Sequence, residues 1–117
     1  MLQDKERQDN LIGSDRVEGT SVFGADGNKI GSVENLLIDK QSGQVTDAVV
    51  SVGGFLGIGE ERHSLPWSML KYDTDQGGYR VNATEEQLKE APRFQKDDRD
   101  RPYDGSYRSN VYSYWAV

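Results

Sequence analysis

The chain has no cysteine, one histidine and only three prolines in 117 residues. Without cysteine there is neither a disulfide framework nor a thiolate metal site. One histidine leaves too few nitrogen ligands for a dedicated transition-metal centre. No apolar run approaches 18 residues, and the N-terminus lacks the charged, apolar, small-residue succession of an export signal. The expectation is a cytoplasmic protein without a membrane span. Basic clusters are missing as well. The formal net charge is −6, spread as −2 over residues 1–18, −3 over 19–82 and −1 over 83–117. Nucleic-acid binders take most of their non-specific affinity from cations that neutralise phosphates. Direct DNA or RNA binding is therefore not expected.

What is present, from Gly19 to Val81, is a succession of short β-prone segments separated by turn chemistry. Thr20–Phe23 precedes Ala25-Asp26-Gly27-Asn28, and Asp-Gly between apolar runs marks a hairpin because both residues tolerate positive φ. Lys29–Asp39 returns, Lys40-Gln41-Ser42-Gly43 turns, and Val45–Val52 forms the next strand. With a period of two, Thr46, Ala48, Val50 and Val52 share one face while Val45 and Val49 occupy the other, so this strand is expected to be covered on both sides. Glu60–Leu65 follows, and Met69–Tyr72 and Gly78–Val81 flank an acidic turn as a last hairpin. Thr84-Glu85-Glu86-Gln87 is a capping box, which predicts one short helix from Glu85 to Ala91, stopped by Pro92.

These elements predict a mainly β fold, a small barrel of five to six short strands with one short C-terminal helix. Its expected core comprises Val22, Ile30, Val33, Leu37, Val50, Val52, Leu65 and Trp67. The domain reading is a polar N-terminal segment at 1–18, a compact module at 19–92 and an irregular aromatic-rich tail at 93–117. Neither flank is expected to join the core. A module this small is marginal alone, and oligomerisation would relieve the deficit.

The order of Gly19, Val22, Gly24, Gly27, Gly31 and Val33, the strand end Leu36-Leu37-Ile38-Asp39, the segment Gly53–Glu61 and the close Leu65-Pro66-Trp67 together resemble the PRC-barrel domain family. The resemblance covers about residues 11 to 92, and stand-alone bacterial members look most similar. This family is the β-barrel first described in the H subunit of photosynthetic reaction centres, and it also occurs in a maturation factor of the small ribosomal subunit. The N-terminal membrane helix of the former is not found here, and 18 residues do not hold the domain that precedes the barrel in the latter. The resemblance implies a protein-interaction scaffold, with no catalytic residues and no cofactor to carry over.

Residue patterns that invite other chemistry are weak. His63 and Ser64 are neighbours in an extended segment and point to opposite faces, so they cannot act as a base–nucleophile pair; His63 is read as a surface or rim side chain. Asp73-x-Asp75-x-Gly77 resembles a calcium loop only faintly, because Thr84 stands where a bidentate Glu is needed. Gly53-Gly54-x-x-Gly57-x-Gly59 lacks the Lys-Ser/Thr of a phosphate loop and is followed by Glu60 and Glu61. No catalytic, cofactor or metal residue is assigned.

Phe55, Leu56 and Ile58, crowded between those glycines, are expected to form a contact surface. Tyr103, Tyr107, Tyr112, Tyr114 and Trp115 place five of the 11 aromatics in the last 15 residues. Disordered chains are poor in aromatics, so the tail is expected to dock on its own barrel or on a neighbouring subunit. Tyr112, Tyr114 and Trp115 are assigned to interaction. The leading reading is a non-enzymatic scaffold that forms a homo-oligomer and binds a protein partner. Its rival is a small-molecule or ion-sensing module with a ligand at a barrel mouth lined by Trp67, His63 and the acidic turns.

Overall fold

The computed structural model describes residues 10–53 and 60–117. Strands β1 (Ser21–Phe23), β2 (Lys29–Ile38), β3 (Val45–Val52), β4 (Glu61–Pro66), β5 (Leu70–Asp73) and β6 (Gly78–Val81) lie at the positions expected from the turn signals. They form one six-stranded sheet in the order β4-β3-β2-β1-β6-β5. The sheet is mainly antiparallel. Its single parallel junction joins β1 to β6, with Val22 beside Tyr79. The sheet is not closed by strand pairing. Its ends are β4 and β5, which a 3-10 turn at Trp67–Met69 connects in sequence.

Local chemistry explains the corners. Gly27 adopts φ 86°, the left-handed conformation that the β1–β2 turn requires. The Asp39 carboxylate accepts the N–H groups of Gln41 and Ser42 at 2.9 and 3.0 Å, which fixes the β2–β3 turn and holds its pKa below the usual value. Gly78 serves a different purpose, because a Cβ there would collide with the Ser21 carbonyl where β6 meets β1. Arg80 Nη2 donates to Ala25 O at 2.8 Å and Gln76 Nε2 to Gly27 O at 2.9 Å, tying the two hairpins together.

One face of the sheet holds the main core. Val22, Val33, Val50 and Leu65 are buried there, and Ile30, Val52 and Trp67 pack against them half-buried. Leu37 is buried as expected, at 7% exposure, but it borders a cleft with Val49 on the other face. Helix α2 (Glu85–Glu90) starts with the predicted capping box. Gln87 N–H donates to Thr84 Oγ1 at 3.1 Å, and Thr84 N–H donates to Gln87 Oε1 at 2.8 Å. Leu88 from this helix closes the core.

Two expectations about the flanks are corrected. Residues Ser14–Val17 form a short helix, α1, whose Val17 is 3% exposed and belongs to the main core. At the other end the tail is not irregular, because Gly105–Trp115 is an 11-residue helix, α3. Asp104 caps it by accepting Tyr107 N–H at 2.9 Å. Tyr107 and Val111, one turn apart, are buried against Val49 and Phe94 as a second cluster. Val49 thus lies under α3 while Val50 faces the main core, so β3 is covered on both faces as its sequence predicts.

Candidate interaction surface

The two ends of the sheet are treated differently. At β4 the edge is covered. Arg62 and Phe94 exchange backbone hydrogen bonds of 3.0 and 2.9 Å, and Ser64 N–H donates to the Tyr107 hydroxyl at 3.3 Å. That hydroxyl in turn donates to Pro92 O at 3.1 Å, and burial pushes its pKa up. The Arg62 guanidinium, 5% exposed, is held between Glu34 at 3.0 Å and Glu60. Covering an edge in this way blocks pairing with another chain.

At β5, no strand or isolated bridge among the described residues lies on the outer side. Tyr72 sits in the middle of that edge with 51% of its surface exposed. Its ring meets Tyr79 edge-on at 5.3 Å, and Tyr79 meets Trp67 at 5.4 Å. The three rings run from the half-buried Trp67 out to the edge. Such rings stiffen a surface and prefer these tilted geometries.

The aromatic residues assigned to interaction are mostly spent inside the molecule. Tyr112 is half-buried; its hydroxyl donates to Thr46 O at 3.4 Å, and Arg108 stacks over its ring at 5.6 Å. Trp115 is half-buried and packs against both clusters. Tyr114 is 38% exposed, with its hydroxyl donating to Gln87 O at 2.6 Å and its ring edge-on to Trp115 at 4.8 Å. Docking of the tail on its own domain is therefore the arrangement observed. Phe55, Leu56 and Ile58 lie outside the described residues. Sequence reasoning missed Tyr72, although its place in a four-residue end strand with alternating Leu70 and Tyr72 was a usable signal.

The proposed barrel-mouth ligand residues are not brought together. His63 is not a rim residue: it is 1% exposed, paired in register with Val50, and burial with the nearby Arg93 charge lowers its pKa to about 4. A neutral imidazole at ordinary pH follows. Trp67 instead stacks on Tyr79. Asp73 works as turn glue, with Oδ1 accepting Asp75 N–H at 3.0 Å and Gln76 N–H at 3.3 Å. Among the described residues no group of three acidic, His or Cys side chains is placed to hold a metal ion, and no helix is long and apolar enough to cross a membrane.

A small, mainly β domain with one six-stranded sheet and a helix over one face is the class these observations define. The family model for the PRC-barrel domain matches residues 9–88, and the chain belongs to that family. No curated protein matches the chain.

Proposed function

We propose that this PRC-barrel protein is a non-enzymatic interaction scaffold that self-associates through β5 and presents the resulting assembly to a protein partner. The asymmetry of the sheet carries this reading: β4 is covered by the Phe94 bridge and Tyr107, whereas among the described residues nothing pairs with the outer side of β5, around an exposed Tyr72. A second copy is the occupant that fits. Antiparallel pairing of two β5 strands centred on Tyr72 sets Lys71 of each opposite Asp73 of the other, and opposite charges across strands are favourable. The sequence of β5 is thus complementary to itself about a two-fold axis, the symmetry of most homodimers.

Family membership supports a module that works by contact. The buried, neutral His63 supports the same reading, since it offers no accessible base. Sedimentation velocity across a concentration series tests self-association. The wild type is expected to sediment as a dimer at high micromolar concentration, and Tyr72→Pro, which removes the central edge N–H, as a monomer. A wild-type monomer throughout would refute the reading.

A further inference from the structure

A cleft of about 780 Å³ opens between β5–β6 and the end of α3, within the range of small-molecule sites. Its lining includes no Asp or Glu, in a chain with 20 of them. Lys71 and Arg80 stand there as register partners on β5 and β6, so their side chains share one face. Like charges directly opposite each other are destabilising. Little in the protein offsets them. Lys71 has no carboxylate within 4 Å among the described residues, and Arg80 reaches only Asp73, at 3.9 Å. The guanidinium is instead positioned by its hydrogen bond to Ala25 O.

The rest of the lining continues the pattern of donors beside apolar surface. Gln87 has its Oε1 committed to Thr84 N–H, which leaves its amide nitrogen to donate. Asn82 adds a second side-chain amide. Met69 and Trp115 supply apolar walls, and the buried Trp115 Nε1–H finds no acceptor among the described residues. A buried donor without a partner is costly.

We propose that this cleft binds a small organic anion, its phosphate or carboxylate head on Lys71 and Arg80 and its apolar, preferably aromatic, body against Met69 and Trp115. The cleft shares Lys71 with the proposed β5 pairing but is formed within one chain, so the inference does not rest on self-association. Neither His63 nor Trp67 takes part. An anion between the two cations removes their mutual repulsion and accepts charge-assisted hydrogen bonds from both.

Calorimetric titration of the full chain tests the assignment with four probes: phenyl phosphate, benzoate, inorganic phosphate and benzylamine. Phenyl phosphate is expected to bind saturably, about tenfold more tightly than inorganic phosphate, with benzylamine not binding. Benzoate binding would extend the head group to carboxylates, and its failure to bind would overturn the carboxylate part of the assignment. Lys71→Glu is expected to weaken phenyl phosphate by about tenfold or more, and Lys71→Gln by less. Thermal melting confirms that both variants fold. Equal affinity for phenyl and inorganic phosphate overturns the organic-ligand assignment. Binding of benzylamine as tight as that of phenyl phosphate, unchanged affinity in both Lys71 variants, or no saturation by any anion at millimolar concentration overturns the site.

Discussion

Arg108 Nη1 in helix α3 lies 2.8 Å from Asp47 Oδ1 in β3, across 61 residues of sequence. The Asp47 side chain is 1% exposed while Arg108 keeps about a third of its surface in water. The carboxylate's other oxygen has no partner among the described residues. A buried charge depends on the one group that answers it. This pair therefore fixes where α3 lies on the sheet.

Removing Arg108 should cost more than removing the pair. Arg108→Met leaves the buried carboxylate unanswered, and we expect a loss of about 2 kcal/mol, below the usual range for a broken buried pair because Arg108 is partly solvated. Asp47→Leu combined with Arg108→Met should recover most of it. Urea denaturation of the two single variants and the double variant measures the coupling. Additive losses would mean that the contact is incidental.

The tail is predicted to be part of the folding unit. Tyr107→Phe keeps the ring against Phe94 (5.7 Å between centroids) but removes the hydroxyl that serves Ser64 N–H and Pro92 O. We expect a loss of about 1–3 kcal/mol for the stranded groups. Truncation after Tyr103 should lower the melting temperature much further, because Val49 and Phe94 lose their cover. A truncated chain that melts like the full chain would show that α3 is an appendage.

Acid sensitivity should centre on His63. Its folded pKa, about 4, lies below the unfolded value of 6.5, so the unfolded chain binds the extra proton between these limits. Stability from this group is complete above about pH 6.5 and declines as pH falls toward about 4, by on the order of 3 kcal/mol. Below that, both states are protonated and the histidine adds no further loss. Urea midpoints at several pH values should fall steeply through this window for the wild type and less steeply for His63→Phe. Parallel curves would place the titrating group elsewhere.

The core assignments are testable in the usual way. Leu65→Ala, at a side chain with no exposed surface, should cost about 2–5 kcal/mol, and Val50→Ala somewhat less. An unchanged melting temperature in both variants would contradict the packing described.

Much of the fold was legible because each signal was local. The Asp26-Gly27 turn, the Thr84–Gln87 capping box and the period-two pattern of β3 depend on near neighbours, and all three stand in the structure. Helix α3 was hidden by its composition. Among the strong helix formers Gly105–Trp115 contains Arg108 alone, so its helicity depends mainly on packing. The readable trace was the Asp104 cap followed by Tyr107, Val111 and Trp115 at intervals of four. The burial of His63 runs against its polarity: period two puts it on the same face as the core residue Leu65, where polarity alone predicts a rim position. The open β5 edge depends on strand order, which short-range patterns do not encode.

Self-association through β5 is most directly tested by backbone amide hydrogen exchange in residues Leu70–Asp73 at low and high protein concentration. The β5 pairing proposed here predicts that exchange in this strand slows at high concentration, while β4, already bridged by Phe94, is unchanged. Exchange in β5 that is equally fast at both concentrations, in a sample shown to be dimeric or in one that remains a 13.1 kDa monomer, would contradict it.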